Sequence, residues 1–129
     1  MKKTINQYNA ILQINLKNIE KNYNYLKNIA PNSIIAACVK ANSYGLGSNI
    51  ICKILYKLKC RDFFVATANE ALLLRQKYKN INIYLLNGVS NYETFLKIYN
   101  FNIITVINNM HQYYIIKKNF KITKKKNKM

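Results

Sequence analysis

Acid, arginine, tryptophan and glycine are all scarce in this chain of 129 residues. Four Asp and Glu stand against 21 Lys and Arg, for a formal net charge of +17. Such an excess, taken alone, points to nucleic acid or another anionic surface. Yet Arg61 and Arg75 are the only arginines, and proteins that read nucleic acids rely on arginine for bidentate contacts to bases and phosphates. Nearly all the cations are Lys, and Asn, Ile and Tyr are over-used as well. These four are residues of A- and T-rich codons, so a biased genome accounts for the composition without selection for a polyanion. Cys38, Cys52 and Cys60 are odd in number, with no CxxC and no Cys/His ligand spacing. That argues against a metal or disulfide framework and for a reduced, cytosolic protein. Lys2 and Lys3 are followed by no apolar core of a signal peptide. No apolar run approaches the roughly 20 residues of a membrane span. The length bounds the chain to one domain at most, or part of one.

Half the residues are hydrophobic, and their order is informative. Residues 10–15 read as a short strand. From Leu16, apolar residues recur at Ile19, Tyr23 and Leu26, which is helical spacing. Pro31-Asn32-Ser33 breaks that helix. Ile34 to Val39 is a continuous apolar run, the pattern of a strand buried on both faces. Ser48 is placed to cap a helix whose inner stripe is Ile50, Ile51, Ile54, Leu55 and Leu58. Arg61-Asp62 reads as a turn and Phe63 to Ala66 as the next strand. Thr67 to Glu70 and Ser90 to Glu93 both have the form of a capping box, each opening a helix. Between them lie a strand over 81–86 and an Asn87-Gly88 turn. A strand over 102–107 and a helix over 110–118 follow. The basic stretch from Lys117 onward reads as a solvated, disordered tail. After residue 33 the order is thus β-α-β-α-β-α-β with short connections, which predicts an α/β fold with a parallel sheet. An open doubly wound sheet and a (β/α)8 barrel both fit this periodicity.

The segment with most chemistry is VKANSYGLG, Val39 to Gly47. Ala36, Cys38 and Lys40 share one direction by strand parity, and Lys40 ends the run. In parallel α/β folds, ligands bind at the carboxyl ends of the strands. A lysine set against an apolar wall is poorly hydrated, which favours its neutral form as nucleophile or base. Gly45 and Gly47 permit a tight turn, and the helix that starts near Ser48 offers N–H groups to an anion. Tyr44 could present its hydroxyl to a phosphate. A Schiff-base lysine beside a phosphate site points to pyridoxal phosphate. A strand-ending lysine that merely snorkels to solvent fits the spacing as well.

VKANSYGLG resembles the VKANAYGxG signature of the alanine racemase family, pyridoxal-phosphate-dependent isomerases with a (β/α)8 barrel and a C-terminal β domain. ILQINLKNIEKNYNYLK, FFVATANEALLLR, INIYLLNGV and NIITVIN resemble successive parts of that barrel, so the likeness covers roughly residues 8 to 118. It implies a partial TIM barrel of about the first four strands over 1–118, then the basic tail over 119–129. It implies that Lys40 carries the cofactor through an imine and is the catalytic base of one face, and that Tyr44 contacts the cofactor phosphate. Tyr84, at a position usually aliphatic in the family, shares a face with Leu86, and both are placed to line the cofactor ring. Leu46 stands where many racemases have His. The family's second base is a tyrosine of the C-terminal β domain, acting across a homodimer interface, and this chain ends well before that region. The resemblance therefore implies an N-terminal fragment of an enzyme that interconverts L- and D-alanine for the cell wall, inactive alone. Such a fragment could be half of a split enzyme with a complementary C-terminal polypeptide, or a frameshift product. A non-catalytic pyridoxal-phosphate-binding module and a basic nucleic-acid-binding protein are the alternatives. The other polar candidates read as structural: Glu70 and Glu93 as helix caps, Glu20 in an early helical turn, His111 near a helix start.

Overall fold

The computed structural model describes the backbone of residues 10–126 and the side chains of residues 10–120. Four parallel strands, β1 (Ala37–Cys38), β2 (Asp62–Val65), β3 (Asn82–Leu85) and β4 (Ile104–Thr105), form one sheet in the order β1-β2-β3-β4. Cys38, Phe64, Tyr84 and Ile104 lie in register across it. The helices are α1 (Leu16–Ile29), the single turn α2 (Lys40–Tyr44), α3 (Ser48–Lys57), α4 (Ala68–Lys77), α5 (Tyr92–Asn100) and α6 (Met110–Lys126). A doubly wound sheet starts near its middle and reverses strand order. Here each strand pairs with the next in sequence, as in an arc of a (β/α)8 barrel, which decides between the two folds left open by periodicity. Among the described residues, no helix is long and apolar enough to cross a membrane.

The two faces of the sheet differ. Phe63, Val65, Ile83 and Leu85 are 2 % exposed or less, and burying each contributes about 1.5–3 kcal/mol. The alternate residues Phe64 and Tyr84 are only half-buried, and Cys38 and Ile104 are exposed. The run 34–39 is therefore not buried on both faces, as its composition predicts: Ile34 is 80 % exposed and only Val39 is fully buried. The strand is also shorter than expected. Ala37 pairs with Phe63 and β2 begins at Asp62, so Ile34 and Ile35 have no β2 residue opposite them.

Other boundaries shift for local reasons. No strand forms over 10–15; Ile11 and Leu12 are exposed, and Asn15 instead caps α1, its side chain accepting from the Asn18 N–H at 3.2 Å. At α4 the Thr67/Glu70 capping box is formed as expected. At α5 it is not: Asn91 is the cap, accepting from the Thr94 N–H at 2.8 Å, and Glu93 pairs with Lys97 one turn on. Asp62 is the first residue of β2 and buried, not a turn residue. Its carboxylate accepts from the Tyr84 hydroxyl and the Asn82 amide, both at 2.9 Å. Helix α6 extends beyond Lys118 into the stretch expected to be a disordered tail; residues 127–129 of that stretch lie outside the described residues.

Candidate functional site

Lys40 leaves the carboxyl end of β1 as expected. The Val39 N–H still donates to the Phe64 carbonyl at 2.8 Å, so the sheet ladder holds up to the residue before the lysine. Then the chain reverses hand. Ala41, Asn42, Ser43 and Tyr44 have φ of 50°, 54°, 56° and 55°, a left-handed turn built without a glycine. Each such L-residue costs about 1–2 kcal/mol relative to the right-handed form, so the turn must be held by its neighbours.

Several contacts hold it. The Ser43 N–H donates to the Val39 carbonyl at 3.0 Å, and the Gly45 N–H to the Ala41 carbonyl at 3.0 Å. The Asn42 side chain accepts from the Ser48 N–H at 2.8 Å, while the Ser48 hydroxyl donates to the Val39 carbonyl at 3.3 Å. Ser48 was expected to cap α3. It is instead the first helical residue, Gly47 occupies the cap position, and Asn42 satisfies the Ser48 N–H from across the turn. Gly45 and Gly47 sit at φ 84° and 94°, and a Cβ at either would meet open space. The backbone there is therefore open to close approach by a ligand.

Tyr44 folds back toward the sheet face that carries Cys38, Phe64 and Tyr84, the inward face of the arc. Its hydroxyl donates to Cys38 Sγ at 3.2 Å, and Lys40 Nζ is 5.8 Å from its ring centroid. The hydrogen bond to Cys38 holds the phenol above its usual pKa range. Lys40, Tyr44 and the free thiol of Cys38 thus form one cluster. Leu86 follows the end of β3, anchored by its N–H to the Val65 carbonyl at 2.9 Å, and is half-buried. Two strand spacings, about 10 Å, separate the ends of β1 and β3. Tyr84 shares the inward face, but its ring stacks on Phe64 at 4.6 Å and its hydroxyl is tied to Asp62, toward the amino end of the strands. His111 is exposed near the start of α6 and Glu20 is exposed on α1.

The acid that reaches the site is Glu70. Its Oε2 accepts from the Ala66 and Thr67 N–H groups at 2.9 and 3.1 Å, and its Oε1 accepts from the Ala41 N–H at 2.8 Å. Burial alone would raise its pKa, but these donors outweigh it and hold the carboxyl below its ordinary value. The sequence shows the capping box but not the bond to Ala41. The available signal was the second carboxylate oxygen, which a capping box leaves free. A cavity of about 430 Å³ lies behind this turn, lined by Val39, Asn42, Cys52, Val65, Glu70 and Leu74. Lys40 does not line it.

A parallel arc with strands in chain order, bearing a lysine and a glycine turn at the carboxyl end of its first strand, defines the class: an arc of a (β/α)8 barrel, a fold whose ligands bind at the strand C-termini. Residues 14–127 match the family model described as alanine racemase, N-terminal domain. The chain belongs to the alanine racemase family. It is 43% identical over 102 residues to an alanine racemase of Rickettsia prowazekii, covering 78% of this chain and 25% of that protein. An alanine racemase of Rickettsia akari is 42% identical over 102 residues, with 78% and 28% covered. Among solved structures, alanine racemase from Bartonella henselae, with covalently bound pyridoxal phosphate, superposes with a TM-score of 0.77 at 35% identity, covering 88% of this chain and 32% of that one. The biosynthetic alanine racemase of Pseudomonas aeruginosa gives 0.75 at 28% identity, with 80% and 28% covered. The alignments thus span about a quarter of the length of these curated relatives.

Proposed function

We propose that this chain provides the lysine-bearing part of a cytoplasmic, pyridoxal-phosphate-dependent alanine racemase. The observation that carries the reading is the Lys40–Tyr44 cluster at the carboxyl end of β1, in a chain of this family. The residues fit the cofactor's two ends. Lys40 offers an amine for the aldehyde. The Tyr44 hydroxyl, hydrogen-bonded to Cys38, suits a phosphate oxygen, and the open backbone at Gly45 and Gly47 leaves room for an anion. Leu86 is placed to lie against the ring. When bound, the cofactor supplies an electron sink that acidifies the α-hydrogen of an amino acid. Lys40, once free of the cofactor, takes or returns that proton on one face. The opposite face needs a second base, contributed by another part of the enzyme. Full activity then requires a complementary C-terminal polypeptide or region and the family's homodimer, and the 129-residue chain alone does not racemise alanine.

Incubation with pyridoxal phosphate, borohydride reduction and peptide mapping tests the reading. A single modified position at Lys40, lost in Lys40→Ala, is expected. Modification scattered over the many other lysines would sink it. Conversion of L- to D-alanine by the purified chain would overturn the claim of inactivity. Trapping at Lys40 that never supports turnover, even with a C-terminal racemase region supplied, would leave a non-catalytic cofactor-binding module. Nucleic-acid binding has less support, because both arginines are committed within the protein. Arg75 donates to backbone carbonyls, and Arg61 donates to the Tyr56 and Cys60 carbonyls at 2.9 and 2.8 Å while stacking on Tyr56.

A further inference from the structure

We infer that Glu70 is the positioning residue for Lys40, fixing the direction in which the lysine leaves the sheet by clamping the Ala41 N–H to the end of β2. This rests on the reading of Lys40 as the cofactor lysine. Three observations support it. First, the residues after Lys40 are four consecutive non-glycine residues in the left-handed region. Such a turn persists only where its surroundings over-determine it. Second, its other hydrogen bonds all come from residues 38–48 of its own βα unit. Glu70 reaches in from a different βα unit, 29 residues away in sequence, at 2.8 Å. Third, the bond is to the residue directly after Lys40, so a shift of the Ala41 amide plane swings the lysine Cα. The opposite oxygen of the same carboxylate is pinned by Ala66 and Thr67 at the start of α4. The carboxylate therefore ties the exit of β1 to the exit of β2 as a two-sided acceptor.

A plain helix cap and a positioning clamp make different demands on the side chain. A capping box accepts glutamine at this position as well as glutamate. A clamp between N–H groups on both sides does not, because a carboxamide has one acceptor oxygen and turns an NH2 group toward the other side. Glu70→Gln should therefore keep the helix cap and lose the Ala41 bond.

The test uses the full 129-residue chain without cofactor, read by amide hydrogen exchange. In Glu70→Gln the helix cap is kept and the melting temperature falls by only a few degrees, while Ala41 loses exchange protection about tenfold, the scale of one charge-assisted hydrogen bond. Unchanged protection at Ala41 would overturn the inference. Should the variant not fold, the parent decides: the Ala41 amide resonance must move with the Glu70 carboxyl titration, and an amide that ignores it overturns the clamp. Neither readout involves pyridoxal phosphate, so failure here is separable from failure of Lys40 to trap the cofactor. Where the parent does trap it, borohydride-trappable modification at Lys40 should slow about tenfold in Glu70→Gln. An unaltered rate with Ala41 released would show that the bond holds the turn without positioning the lysine.

Discussion

Helix α4 carries an acid at its first turn and a base at its last, and the two ends of the sheet are organised around them. At the start, Glu70 gathers three N–H groups, from the loops leaving β1 and β2. Toward the end, Arg75 gathers carbonyls from the loops entering β3 and β4: Lys79 and Ile81 at 2.8 and 2.9 Å, Phe101 and Asn102 both at 3.0 Å. Both placements follow the helix dipole, which favours anions at the N-terminus and cations at the C-terminus. The difference lies in what each end holds. Arg75 satisfies carbonyls in ordinary connections and is itself buried. Glu70 holds a left-handed turn that would relax without help. The amino end of the sheet is built for stability, and the carboxyl end stores strain beside the lysine.

The largest break in this comparison is expected at the amino end. Arg75→Ala leaves several carbonyls without their donor and should cost about 3 kcal/mol, a drop in melting temperature of roughly 10 °C. Arg75→Lys should recover only part of it, since an ammonium cannot reproduce the planar fork. In the folded fraction at low temperature, exchange at Ala41 should be unchanged. Thermal denaturation with amide exchange reads both.

Much of this was legible in the sequence, and the exceptions share a cause. The alternation of elements, the Thr67/Glu70 box and the position of Lys40 depend on local spacing. The left-handed turn at Ala41–Tyr44 was hidden because its residues are not glycines; only the glycines beyond it, Gly45 and Gly47, announced a tight turn. Asp62 reads as a turn residue because its partners, Asn82 and Tyr84, are 20 and 22 residues away. Ile34–Val39 has the composition of a doubly buried strand, but composition does not reveal where a partner strand begins. Contacts between βα units are the part that sequence periodicity does not carry, and the Glu70–Ala41 bond is one of them.

A smaller loss should come from the turn after β3. Gly88 sits at φ 70°, and a Cβ there would overlap the Gln112 carboxamide. That carboxamide cannot yield freely: it accepts from the Asn108 N–H at 2.9 Å and donates to the Asn87 carbonyl at 2.8 Å. Gly88→Ala should cost about 2 kcal/mol, measured by urea denaturation. A neutral result would mean that this turn, unlike the one at Lys40, relaxes freely.

Acid should sharpen the contrast between the ends. The folded pKa of Glu70 is depressed below its ordinary value. Its contribution to stability is thus fully present above the unfolded pKa and is lost as the pH falls through the folded one. The stability difference between the parent and Glu70→Gln should be largest near neutrality and shrink as the pH falls below the ordinary glutamate range, in urea midpoints taken from neutral to acid pH. Arg75 keeps its charge throughout, so the deficit of Arg75→Ala should persist in acid.

The smallest effect separates two kinds of helix start. At α5 the expected capping glutamate, Glu93, instead pairs with Lys97 at 2.8 Å, with side chains 77% and 55% exposed. Exposed pairs of this kind contribute little, so Glu93→Ala should leave the melting temperature unchanged within error. Asn91→Ala, which removes the actual cap, should cost about 1 kcal/mol. If Glu93→Ala proved the more damaging of the two, the Ser90–Glu93 box read from the sequence would be the working cap in solution. The equal outcome is also decisive: a loss shared by both variants would mean that Asn91 and Glu93 stabilise the same first turn together. The contrast with α4 explains the expected order. Thr67 and Glu70 close a reciprocal box because the Glu70 carboxylate is drawn inward by Ala66 and Ala41. Glu93 is mostly exposed and is claimed instead by a lysine one turn along.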